Sequence, residues 1–117
     1  MFKEAIRDVV EGTDGGIAGI LMDFEGIAVD SYVKGTFDIN SVGAEYSVIL
    51  KSIQRATESL EAGGPREIAI QSEKVITVIR IINEEYFLAL TLSPDGNLGK
   101  GRYLMRTAAP KLLEQLV

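Results

Sequence analysis

The chain has 117 residues, no cysteine and no histidine, and 17 acidic against 12 basic side chains for a net charge of −5. These figures exclude disulfides, thiolate chemistry, the usual general base near neutral pH and the commonest zinc ligand. The acidic balance argues against a nucleic-acid or anionic-membrane surface, and the length suits one domain over residues 1–117.

The first residues, "MFKEAIRDVVEG", carry charges throughout, so they do not read as a signal peptide. Phe2, Ile6, Val9 and Val10 recur at helical spacing, and "GTDGG" stops that short helix. Residues 17–22, "IAGILM", and 27–32, "IAVDSY", have strand length, and the few residues ending in Gly26 between them predict a hairpin. Asp38 is placed to cap a long helix from Ile39 to about Glu61. Its expected core stripe is Val42, Tyr46, Ile49, Ile53 and Leu60, with Leu50 at the margin. "AGGP" ends it.

Three strand-like runs follow: "REIAIQS", "VITVIRII" and "YFLALTLS". The middle run is apolar and β-branched at nearly every position, as in a strand buried on both faces. The segment from Leu98 to Val117 has Leu104, Ala108, Leu112 and Leu116 at helical spacing. Pro110 within it costs about 3 kcal/mol in a helix interior, so a kink or a helix in two pieces is expected. No stretch approaches the roughly 20 apolar residues of a membrane span, and a soluble, cytoplasmic protein is expected. The order α-β-β-α-β-β-β-α, with short links between strands, predicts an α+β protein: a five-stranded antiparallel sheet between helical layers.

No constellation in the chain carries chemistry convincingly. Asp23-Phe24-Glu25-Gly26 spells D-x-x-G, a phosphate-sensing motif of small GTPases, but no G-x-x-x-x-G-K-[ST] loop accompanies it. The two carboxylates also lack a third metal ligand, so a turn with Gly26 at positive φ is the better expectation. "GNLGKGR", residues 96–102, could cradle an anion at a helix start, yet its spacing fits no phosphate-binding motif, and a loop leading into a helix explains it. Arg55, Arg80, Arg102 and Arg106 could each face a partner, a structural salt bridge being the simpler role; Arg80 is expected near a sheet end or edge. No catalytic residue, metal site or cofactor is expected.

The long helix has a second face worth attention. Ser41, Glu45, Val48, Ser52, Arg55 and Ser59 are spaced 4, 3, 4, 3 and 4 apart. Small residues at a heptad-like repeat suit a close helix–helix contact; a solvated face rich in serine is the alternative.

"GGIAGILMDFEGIAVDSY", the long helix, "EIAIQS", "VITVIRIINEEYFLALTLS" and "DGNLGKGRYLMRTAAPKLLEQL" together resemble the Roadblock, or dynein-light-chain-like, family over essentially the whole chain. Among its members the chain is most similar to bacterial MglB-type regulators of Ras-like GTPases. The resemblance implies a profilin-like three-layer α/β/α sandwich that forms a homodimer or heterodimer. In the family, edge strands meet in one continuous sheet and the long middle helices pair on one face. Those elements here are the strand around Glu67 to Ser72, with Ile68 and Ile70, and the helix from Ile39. A GTPase docks on the paired helices of MglB-type members, which stimulate hydrolysis without an arginine finger. Two departures stand out: Glu25 replaces a common Asp, and the chain ends at Val117, so any role of a long C-terminal tail is expected to be absent. The implied function is a dimeric, non-enzymatic regulator or scaffold for a small Ras-like GTPase. A structural light chain in a multiprotein complex is the alternative, and a small-molecule sensor domain a more distant one.

Overall fold

The computed structural model describes residues 2–116. Eight elements follow one another: α1 (Phe2–Gly12), β1 (Gly16–Asp23), β2 (Ala28–Val33), α2 (Ile39–Ser59), β3 (Glu67–Gln71), β4 (Ile76–Ile81), β5 (Tyr86–Leu92) and α3 (Leu98–Leu116). The strands form one sheet in the order β2-β1-β5-β4-β3, every neighbouring pair antiparallel. The expected order, class and strand number all form. Val117, expected to end the last helix, lies outside the described residues.

Side chains alternate across the sheet, so its central strands feed two cores. Leu21, Val78, Leu88 and Leu90 pack with Ile6, Val10, Met105 and Leu112 beneath α1 and α3. Ala18, Ile20, Met22, Ile79, Phe87 and Ala89 pack with Ile39 and Leu50 beneath α2. β4 is buried on both faces from Ile76 to Ile79, as its unbroken apolar run requires.

α2 packs over β1 with Gly43 against the Met22 side chain. A Cβ on Gly43 would come within 2.7 Å of Met22 Cε and 2.8 Å of its Sδ. Ser47, the next small residue on that face, is buried with its hydroxyl donating to the Ala44 carbonyl at 2.7 Å. The packed face is therefore Ile39, Gly43, Ser47 and Leu50, flanked by half-buried Val42, Tyr46 and Ile53. Ile49 and Leu60, expected in the core, are instead 47% and 77% exposed. Counting large apolar residues misplaces the stripe, because the residues nearest the sheet are small ones that give no hydrophobic signal.

α3 runs unbroken through Pro110, so the two-piece alternative does not form. Pro110 is on the exposed side while Met105, Ala108 and Leu112 hold the helix down on either side of it. Asn97 caps this helix, its Oδ1 accepting from Lys100 N at 3.0 Å, so "GNLGKGR" spends its amides on a helix start.

The α2 docking yields a prediction. Gly43→Leu should destabilise the protein by about 1–3 kcal/mol through overpacking. Adding Met22→Ala should recover part of that loss, a coupling that urea denaturation of the four-member cycle would measure.

Candidate interaction surface

Two structural features fix how α2 presents its outer face. The first is the β1–β2 turn. Asp23 Oδ1 accepts from the backbone N–H groups of Glu25 and Ile27, both at 2.9 Å, and Gly26 adopts φ +87°. Glu25 then reaches Lys51 on α2, with Oε2 and Nζ 3.1 Å apart. Asp23 and Glu25 thus build a turn and tie it to the helix; an exposed ion pair of this kind adds little stability. The second is the start of α2, where Asp38 accepts from Ser41 Oγ at 2.7 Å and Ser41 N at 3.2 Å. These bonds, the hydroxyl first, hold the Asp38 carboxyl below the ordinary carboxylate range.

All six residues of the small-residue repeat, Ser41, Glu45, Val48, Ser52, Arg55 and Ser59, are exposed. They run along the side of α2 opposite its packed face, with Val48 68% exposed in the middle of the helix. Ile49, Ala44 and Ala56 flank them and are also exposed, which widens the apolar strip beyond what the repeat predicts. Arg55 Nη2 lies 3.5 Å from Ser52 Oγ, a weak local contact that leaves the guanidinium turned outward. Among the described residues neither Glu45 nor Arg55 forms an ion pair within the chain.

Ile68 and Ile70 occupy a different place. They lie on β3, half-buried, with their side chains against the α2-side core. β3 pairs with β4 on one side and has no strand on its other edge. The helical strip and the open edge of β3 are therefore separate surfaces: α2 sits over β1 and β2, and β3 is the far edge of the sheet.

The four arginines separate. Arg102 Nε sits 2.9 Å from Glu67 Oε2, an ionic contact whose N–H is not aimed at the oxygen, so attraction here is Coulombic rather than a directed hydrogen bond. For Arg55, Arg80 and Arg106 the expected salt bridge does not form among the described residues. Arg80 stands in β4, one strand in from the β3 edge.

An open cavity of 540 Å³ lies beside the C-terminal end of α2, lined by Gln54, Glu58, Glu61, Gly63, Pro65 and Glu84 among others. Three of its lining residues are glutamates, with Gly63, Gly64 and Pro65 between them. Among the described residues no helix is long and apolar enough to cross a membrane, and no three acidic side chains are grouped to hold a metal ion.

No family model matches the chain, and no curated protein sequence matches it. Solved structures do. MglC from Myxococcus xanthus is 39% identical, with 96% of each chain covered and a TM-score of 0.70. The chain belongs to the Roadblock family, on its MglB/MglC side. A Roadblock/LC7 domain from Streptomyces avermitilis superposes with a TM-score of 0.88 over 97% of this chain and 96% of that one, at 11% identity. The gliding protein MglB from Thermus thermophilus gives 0.85 over 95% of this chain and 84% of its own, at 16% identity. At such identities these two speak for the fold alone, a sandwich that is also profilin-like. Membership in this Roadblock branch makes the chain a regulator or adaptor domain.

The capping of α2 can be tested by pH. Asp38 has a depressed folded pKa, so its stabilisation is present above the ordinary carboxylate range and is lost as pH falls through the lower folded value. Asp38→Ala should lower the Tm at neutral pH, and the gap to wild type should narrow on acidification below about pH 4. Thermal melts at stepped pH would show this.

Proposed function

We propose that this Roadblock domain is a homodimer whose paired α2 helices form the docking surface for a small Ras-like GTPase. One observation carries the self-pairing. The exposed strip is palindromic in chemistry about residue 50: Ser41 answers Ser59, Glu45 answers Arg55, and Val48 answers Ser52. When two copies of α2 run antiparallel across a two-fold axis, each residue of such a pair faces its counterpart on the other copy. Glu45 then meets Arg55 of the partner subunit, and by symmetry Arg55 meets Glu45 of the partner subunit. Two ion pairs form at once, with serines at both ends and Val48 against Ser52 near the middle.

Small side chains support a close approach of the helix axes, and Val48 with Ile49 supplies the apolar area. The open edge of β3, which carries Ile68 and Ile70, is a second place where a copy of this chain can add a strand. The acid–base pairs favour a second copy of this chain over unrelated helices, since a mismatched partner would set like charges together.

The GTPase reading rests on the family and on the absence of a catalytic constellation among the described residues. A regulator of this kind acts by reshaping the residues of its partner, and it needs a rigid platform more than reactive groups.

Charge reversal separates self-pairing from a merely solvated face. Glu45→Arg alone and Arg55→Glu alone should each weaken the dimer about tenfold or more, because each exchanges two attractive contacts for two repulsive ones. The double reversal should restore it, as sedimentation equilibrium would read. Equal dimer strength in all four proteins would refute the pairing. For the GTPase, binding to Ras-like GTPases loaded with GTP or GDP is the test. Preference for the GTP state, with or without faster hydrolysis, is expected, and nucleotide-independent binding would instead favour the structural light-chain role.

A further inference from the structure

On the other face of the sheet, α3 crosses β4 and leaves a cavity of 190 Å³. Its apolar walls include Ile82, Ala109, Pro110 and Leu113, and its charged lining groups are Arg80 and Arg106. Two guanidiniums with no carboxylate between them are unusual in a chain where acids outnumber bases 17 to 12.

The local geometry explains why Arg80 has no partner. Its cross-strand neighbour is Glu67, directly opposite on β3. That carboxylate is drawn to Arg102, 2.9 Å away on α3. Among the described residues Arg80 Nε is left buried and without a hydrogen-bond partner, a condition that native proteins rarely leave unrelieved. Arg106 likewise forms no ion pair among the described residues. Pro110 adds a third feature. Having no N–H, it cannot donate to the Arg106 carbonyl one turn earlier, which thereby loses its usual intrahelical partner.

We propose that this cavity receives an acidic side chain flanked by an apolar residue, presented by a peptide segment of a partner protein. Guanidiniums bind carboxylates through paired N–H groups, and Arg80, half-buried with its Nε out of water, can offer such a fork. The volume falls below the roughly 300 Å³ at which pockets for whole small molecules begin. It has room for side chains, not for a cofactor. The apolar walls select the neighbour of the acid, and the Arg106 carbonyl can accept a backbone N–H of the bound segment. This surface lies across the sheet from α2, so it can be filled while α2 is paired, and the proposal stands whether or not the GTPase reading does.

The test uses the full chain labelled with ¹⁵N and follows the Nε–Hε signals of its arginines and the amides of residues 109–113. The probes are a short synthetic peptide of alternating glutamate and leucine, the same peptide with glutamine for glutamate, and inorganic phosphate. The acidic peptide should shift the Arg80 and Arg106 signals. The glutamine peptide should bind about tenfold more weakly or worse, as should the acidic peptide on Arg106→Gln. Arg106 is exposed, so that variant is expected to fold even if Arg80→Gln does not. Shifts centred elsewhere, equal binding of the glutamine peptide, or no saturable binding would overturn the proposal. So would phosphate alone matching the acidic peptide in affinity, which would mean a small-anion site.

Discussion

The close seating of α2 on β1 is the constraint on which the outer architecture depends. Gly43 lies against the Met22 thioether, which would have to move to admit a methyl group, and Ser47 follows one turn later with its hydroxyl satisfied inside the helix. Small residues at the contact bring the helix near the sheet and fix its rotation. Once that rotation is set, the opposite side of α2 has to face outward, and Val48 and Ile49 go with it. Exposed aliphatic side chains in mid-helix are thus a consequence of packing beneath, and they mark a surface that gains from being covered.

The two faces of the sheet have been put to different uses. Beneath α1 and α3 the core is continuous and built of large aliphatics. α1 is also tied to β2, where Tyr32 donates to Glu11 and Lys34 sits 3.2 Å from the same carboxylate; the tyrosine bond, then lysine, hold Glu11 below its usual range. The α2 side is thinner and ends at an open strand, β3. Self-pairing through α2, as proposed, would use this division: one closed face for stability and one face with contacts still to be made.

Much of this was legible in the residues. Turn chemistry located the β1–β2 hairpin, because Gly26 needs positive φ and Asp23 can bond amides ahead of it. The unbroken apolar run of β4 announced helices on both sides. The repeat from Ser41 to Ser59 emerged as an outward strip, which its spacing alone could not distinguish from a buried one. What stayed hidden has a common cause: contacts made by small or absent groups. Gly43 and Ser47 turned α2 so that Ile49 and Leu60 left the expected core. At Pro110, burial of the flanking residues outweighed the missing hydrogen bond. Arg80 looked like half of a salt bridge, and only the placement of Arg102 beside Glu67 showed that its carboxylate was taken.

The central claim is that α2 meets a second copy of itself antiparallel, centred on residue 50. Cysteine cross-linking measures that register directly. An equimolar mixture of Val48→Cys and Ser52→Cys chains should form a mixed disulfide dimer readily. Either variant alone should not, since like positions would add an axial offset of about 6 Å to the spacing between the helices, taking their Cα atoms beyond the roughly 7 Å that a disulfide spans. Equal cross-linking of Val48→Cys with itself, or none in any combination, would contradict the account.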